Sequence, residues 1–428
     1  MILKSIIGKK TRATALLVEV VVVTIIGWLI IEPVAINTTK YLMPAGYDYD
    51  RLVMLTIDCL DEQSHLYDES YENTERKKMY GNLLRMIRER EGVENATLTS
   101  YQSFEMNGRS SNGMHADSIY IKKGVENLDF NMTSIIFFPK TDFFATFGIK
   151  DANGKLFQEP EMTEGSYIIS NSVAKALFPE TTAIGKEIFP VSDWCPYAIT
   201  AAGITADMPY VKGDGRIGTY YQVSDIDGWA SPHAITMRLR DGVNKRKFIE
   251  NLTTDLSRYR SGNFYLTHPV SMSDQRDEIF AEKQRDLTQK WIIVAFFFVN
   301  VFLGVAGTFY VQCKTRIPDA GVMRAFGAPR SAIIRNIVGE ALITTFIGWI
   351  IGSAIYLIYL KSKGFPMETD ASPIMQYLRP MWHDTKLGRY SVIGGIILLL
   401  LLVTSALGAW LPARKVGRVP IVDSLHDE

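Results

Sequence analysis

Three cysteines in 428 residues exclude a scaffold stapled by disulfides, which needs a dense cysteine framework. Six histidines, His65, His115, His233, His268, His383 and His426, show no paired spacing of the kind that holds a metal on one helix or hairpin. HExxH and GxSxG are both missing, so neither the zinc-protease nor the nucleophile-elbow pattern is present. A phosphate loop is missing too. The nearest string, GTFYVQCKT, lacks the glycine required before Lys314, and backbone N–H groups inside an apolar helix could not cradle phosphates. Lys and Arg number 46 against 46 Asp and Glu, so no excess charge of either sign points to nucleic acid.

What is abundant is apolar sequence, 47% of the chain, and most of its weight sits in four runs: Ala13 to Ile31, Trp291 to Val311, Ala341 to Leu360 and Ser391 to Leu411. At about 1.5 Å per helical residue, each is long enough to cross a hydrocarbon layer of roughly 30 Å. Four transmembrane helices are expected. Lys4, Lys9, Lys10 and Arg12 precede the first run like the positive end of a secretory signal, but the exit IEPVAINTT offers no good small-x-small cleavage site, so an uncleaved anchor is expected. Placing the N-terminus inside puts these four, the basic residues at 314, 316, 324, 330 and 335, and Arg414, Lys415 and Arg418 on the cytoplasmic side. The short outer loop, 361 to 390, then carries only Lys361, Lys363, Arg379, Lys386 and Arg389. Residues 36 to 270 become one large domain outside. Cys59 and Cys195 would share that side, and spacing alone does not say whether they are bridged.

Within the outer domain, RLVMLTID reads as a strand. The segment YENTERKKMYGNLLRMIRER sets Met79, Leu83, Met86 and Ile87 on one helical face, and ENATLTSY reads as a strand again. The order recurs. HAITMRLRD alternates Ile235, Met237 and Leu239 with Thr236, Arg238 and Arg240; a helix with Phe248, Leu252 and Leu256 on one face follows, then the strand NFYLTHPV. Two βαβ-like units therefore flank a β-rich insert of about 102 to 232, in which SNSVAKALF is a helix capped by Asn171 or Ser172 and 105 to 118 is a mobile loop. The fold class expected is α+β, with four membrane helices and a large extracytoplasmic domain. Ser271 to Leu303 contains no glycine or proline, which predicts one long helix reaching about 30 Å above the second span as a stalk over 271 to 290.

The stretch CKTRIPDAGVMRAFGAPRSAIIRNIVGEALI, from Cys313 to Ile343, interrupts the apolar runs with five basic residues, two prolines and three glycines. Pro318 suits only a first helical turn and Gly327 is a natural terminator, so a short helix is expected from Thr315 to Ile317 onward, with Ile317, Ala320, Met323 and Phe326 as its apolar members. Too short and too charged to span a bilayer, it could lie among lipid headgroups or dock on a soluble partner. Glu19 lies inside the first run, where it could meet the basic cluster, line a route or sit near the interface. Glu340 poses the same choice. Gly348 and Gly352 form GxxxG in the third run, allowing close approach by another helix of this subunit or of a second one.

This stretch resembles the cytoplasmic segment of FtsX-like and MacB-type ABC transporter permeases, through Arg316, Asp319, Gly321, Arg324, Ala325, Phe326, Gly327, Ala328 and Glu340. The tail, with Pro412, Ala413, Arg414 and Pro420, is similar to the family's closing pattern. TDFFATFGI, IISNSVAKALFPETTAIGKEI, YAITAAGITADMP and MRLRDGVNKRKFIENL follow its periplasmic landmarks in order. Pro318 and Ala320 depart from the family, which often has an acid and usually isoleucine there. The resemblance implies a non-catalytic permease subunit of the inner membrane that binds no cofactor itself. Its 315 to 327 helix would couple to a cytoplasmic ATPase on another chain, which uses ATP and Mg, with Met323 and Phe326 as apolar anchors and Arg324 bonding carboxylates. Pairing with a second permease subunit is implied, as is work on the outer side with a periplasmic adaptor and outer-membrane channel, or with a periplasmic effector such as a cell-wall hydrolase. The resemblance makes Glu340 a structural partner beside the coupling helix.

Overall fold

The computed structural model describes residues 10–43, 46–71, 73–100, 119–120, 132–163, 165–179, 181–190, 199–207, 218–226, 231–314, 317–363, 382–383 and 385–416. The chain is an α+β membrane protein of two compact units: one of residues 1–38, 284–367 and 381–428, the other of 39–283 and 368–380.

The second unit holds two sheets. Strands β1 (Leu52–Cys59), β2 (Val93–Thr99), β9 (Ala234–Leu239), β10 (Arg260–Ser261) and β11 (Phe264–Ser271) form the first, in the order β10-β11-β1-β9-β2, with every pairing antiparallel. Helices α1 (Lys10–Tyr41) and α2 (Asn73–Arg88) precede β1 and β2, and α5 (Lys245–Asp255) follows β9. The two βαβ-like units thus do not lie side by side. They interleave, β1 sitting between β11 and β9, in a split βαβ arrangement. The second sheet is built from the chain between β2 and β9: β3 (Ile119–Tyr120), β4 (Met132–Phe137), β5 (Ser166–Ser170), β6 (Glu187–Pro190), β7 (Ile199–Thr205) and β8 (Gly218–Val223), ordered β3-β6-β7-β5-β8-β4. Helices α3 (Phe143–Phe147) and α4 (Asn171–Leu177) lie within that stretch.

Strand periodicity sorts the core. Val53 and Leu55 of β1 face α2 and α5, joining Leu83, Ile87, Ile235, Met237, Phe248 and Leu252, while Leu52 and Met54 point the other way. That opposite face is covered too: Phe143, Phe144 and Phe147 of α3 fill the space against Ile135, Phe137, Ile168 and Tyr221. Arg238, on the same side of β9, is therefore buried rather than solvated. Its Nε donates to the Thr146 carbonyl at 2.8 Å, on the last turn of α3, where the helix dipole favours a cation. Nη1 pairs with Asp48 Oδ2 at 2.8 Å. Burial would raise the Asp48 carboxyl, but hydrogen bonds and charge from Arg51 and Arg238 outweigh it and hold the group below its ordinary range.

Two local expectations are corrected. Helix α4 is capped neither by Asn171 nor by Ser172; Ser170 holds the N-cap position without a side-chain bond, and the Ser172 N–H is taken by Asp207 Oδ1 at 2.7 Å. The single helix from Ser271 to Leu303 is two, α6 (Met272–Ile279) and α7 (Ala281–Lys314). Between them Phe280 has ψ near 3°. No breaker residue marks this point; it coincides with the Arg276 guanidinium, 4.2 Å from the ring centre of Tyr49 and 5.9 Å from that of Phe280. Cys59 is an exposed free thiol, while Cys195 and the loop at 105 to 118 lie outside the described residues.

The first unit contains α1, α7, α8 (Ile317–Ala325), α9 (Arg330–Lys363) and α10 (Lys386–Val416). By length and composition four of these can cross a membrane: Leu16–Tyr41, Ala281–Val311, Arg330–Ser362 and Lys386–Val416.

Candidate functional site

Between the long helices α7 and α9 the chain makes the nine-residue helix α8, with Pro318 in its first turn, where a missing N–H costs nothing. Its end is fixed by Gly327. At φ 88° this residue takes the left-handed conformation, and two bonds close the turn: Gly327 N–H to the Arg324 carbonyl at 2.9 Å, and Ala328 N–H to the Met323 carbonyl at 3.0 Å. A side chain at 327 would meet nothing within 4 Å, so glycine is required there by backbone conformation and not by space.

The four apolar residues expected to line this helix do not share a face, Phe326 standing just past its last residue. Ala320 is buried among the membrane helices and Ile317 packs against the same cluster, whereas Met323 is half exposed and Phe326 is 88% exposed. The reason is geometric. Steps of three residues drift by about 60° each, so Phe326 stands half a turn round from Ile317. Val322 joins Met323 and Phe326 on the outward side, and Arg324 is half-buried between. Asp319 and Gly321 lie on the helix; Ala325 ends it, exposed; Arg316 lies outside the described residues.

The remaining predicted positions sit in the bundle. Glu19 lies against α7, its Oε2 accepting from the Thr308 hydroxyl at 3.2 Å. A Cβ at Gly304 would come within 2.8 Å of the same carboxylate. Gly348 and Gly352 face α1 of the same chain: a Cβ at Gly348 would stand 2.6 Å from Val20 Cγ1, and one at Gly352 would stand 2.9 Å from the Val21 carbonyl oxygen. Glu340 is half-buried on α9, one turn before Thr344. At the α8 end, Lys415 Nζ lies 5.7 Å over the Tyr310 ring and Arg414 lies 5.2 Å over Trp410, the pairing of cation and aromatic common at a membrane interface. Among the described residues no group of three or more His, Cys, Asp or Glu could hold a metal.

A short capped helix, held by two residues and baring three, thus connects two membrane spans within a stretch, residues 291–421, that matches the sequence model of the FtsX-like permease C-terminal family. Over those residues the chain is similar to FtsX-like permeases. It also resembles MacB-type permeases along more of its length. The macrolide export ATP-binding/permease protein MacB of Salmonella paratyphi A is 22% identical over 295 residues, 67% of this chain and 42% of that protein. The MacB of Neisseria gonorrhoeae is 21% identical over 261 residues, 57% of this chain and 39% of that protein. The chain therefore spans about two-fifths of the length of these relatives. Among solved structures, the periplasmic region of MacB from Actinobacillus actinomycetemcomitans matches 55% of this chain and 94% of its own length, at 14% identity and a TM-score of 0.30. The extracellular domain of the ABC-type transporter YknZ from Gram-positive bacteria matches 50% and 100%, at 7% identity and a TM-score of 0.25. The matched stretch begins at Trp291, inside α7, and so takes in α8, α9 and α10.

Proposed function

We propose that this permease is the membrane subunit of an ABC machine of the MacB and FtsX type, moved by an ATPase that lies outside these 428 residues. That ATPase uses ATP and Mg, and this chain binds neither. It engages α8 through Phe326 and Met323, with Arg324 bonding a carboxylate at the rim, and the displacement passes along α7 toward the domain on the far side of the membrane. The observation that carries this reading is the exposure of Phe326 on a helix whose other face is anchored in the bundle. An aromatic side chain presented on a fixed mount suits a pocket on a partner, with a rim of cations around it.

The excess of basic residues at the α8 end supports a topology with that end and both termini in the cytoplasm and the large domain in the periplasm. The work done there is efflux or the handling of lipoprotein or peptide cargo by mechanical transmission, by a pair of permease subunits acting with an adaptor and outer-membrane channel or another periplasmic partner. The relatives are named for macrolide export; for this chain the cargo class follows only from the family likeness.

Copurification tests it. Full chain purified in detergent brings down an ABC ATPase, and Phe326→Ala with Met323→Ala weakens that association by roughly 30-fold, the loss typical of a central anchor worth about 2 kcal/mol. Retention of the ATPase at wild-type level by the double variant overturns the assignment of α8.

A further inference from the structure

Glu32, in α1, is 3% exposed within a helix that crosses the membrane. A carboxylate there is costly unless paired. Its two oxygens reach two other helices: the Tyr356 hydroxyl of α9 donates to Oε2, and the Arg389 guanidinium, at the start of α10, pairs with Oε1. One turn earlier in α1, the Trp28 ring stacks on Tyr356 at 5.0 Å and on Tyr390 at 5.4 Å, and its Nε1 donates to Ser353 Oγ at 3.0 Å. All six side chains come from α1, α9 and α10. Pro33 follows Glu32 and cannot bond back to the Leu29 carbonyl, so α1 is weakest as a helix at the point where its side chains are most firmly held.

Helix α7 packs more loosely. It meets α1 through the Thr308 hydroxyl, which donates to the Glu19 carboxylate, and through Trp291 Nε1, which donates to Thr38 Oγ1 at 2.9 Å. Only 22% of its apolar window is buried, against 39% in each of the other three spans.

We infer that Glu32, Tyr356 and Arg389 form a clamp that makes the ends of α1, α9 and α10 remote from α8 one rigid block, against which α7 is the helix that shifts. Separating the block strands a carboxylate or a guanidinium in apolar surroundings, whereas sliding α7 moves the least buried of the four spans. This deepens the force-transmission reading and rests on it only in giving α7 the movement; the clamp itself needs no nucleotide.

Spin-label distances in the full chain, reconstituted in lipid nanodiscs without ATPase and with its native cysteines changed to serine, test it. Labels at the exposed positions Ile26 and Ile358 report α1 to α9, Ile26 and Val392 report α1 to α10, and Ile26 and Phe296 report α1 to α7. The first two distributions are expected to be narrow and the third broad. Glu32→Gln broadens the first two and leaves the third unchanged. Tyr356→Phe, which keeps the volume and the ion pair, broadens α1 to α9 alone. A third distribution as narrow as the others, or first and second distributions that neither variant broadens, overturns the clamp. Because no ATPase is present, either outcome is independent of whether α8 proves to be its docking helix.

Discussion

The two units of this protein fill their interiors with different material. In the sheet-bearing unit Phe137, Phe143, Phe144, Phe147, Phe157 and Tyr221 pack together, with ring centres 4.7 to 5.7 Å apart along the chain of contacts. The membrane unit adds to its apolar cluster glycine notches that admit a neighbouring backbone and hydroxyl pairs, as at Gly352 and at Thr345, whose Oγ1 donates to Ser405 Oγ at 2.8 Å. The difference follows from the solvent each unit left behind. Removing a phenyl ring from water is itself a driving force, but removing it from lipid is not, so the membrane unit must gain from close contact and polar pairing.

Substitutions can break this contrast, the largest effect first. Phe144→Ala deletes a buried ring with four aromatic neighbours and is expected to cost about 3–5 kcal/mol, read as loss of protection of the sheet-bearing unit in hydrogen exchange on the full chain, with the membrane helices unaffected. Gly352→Leu is expected to cost about 1–3 kcal/mol by overpacking, because the new Cβ meets the Val21 carbonyl at 2.9 Å and Thr24 Cβ at 2.7 Å. Thermal unfolding in detergent checks it, and the same exchange experiment should now leave the sheet-bearing unit protected. The smallest effect is that of pH. Burial holds the half-buried His233 below its ordinary value of 6.5, so the fold favours the neutral ring. As pH falls below 6.5 the unfolded chain takes up the proton first, and this contribution, fully present above that value, declines toward the lower folded value. His233→Gln should flatten the stability profile in that window and leave the membrane unit's profile as it was.

Much of the architecture was legible because it is written in composition and period. Four long apolar runs cannot be much else, and the faces carrying Leu83, Ile87, Phe248 and Leu252 repeat at helical spacing. What was not legible depends on partners far away in sequence. Arg238 alternates with apolar residues as though on a wet face, and only the second sheet makes that face an interior. The cap of α4 comes from Asp207, and the break at Phe280 falls among good helix formers beside a cation–π contact that propensity cannot register. At the candidate site the limits of α8 were readable from Pro318 and Gly327, but a run of apolar residues at steps of three hid the fact that two face in and two face out. Nothing local to Glu32 sets it apart from Glu19, since its meaning lies in Tyr356 and Arg389, more than three hundred residues on.

The chain leaves the first sheet after Thr99 and returns at His233, whose N–H bonds the Thr99 carbonyl at 2.9 Å. Ends so close would ordinarily mark a detachable ornament, one that evolution could swap or an engineer could trim to a tight turn. Here excision would strip the cover from Leu52, Met54 and Ala234 and leave half a sandwich facing water. Natural variation should therefore concentrate toward the tip of this lobe, while its phenylalanine-rich root stays as constant as the sheet it roofs.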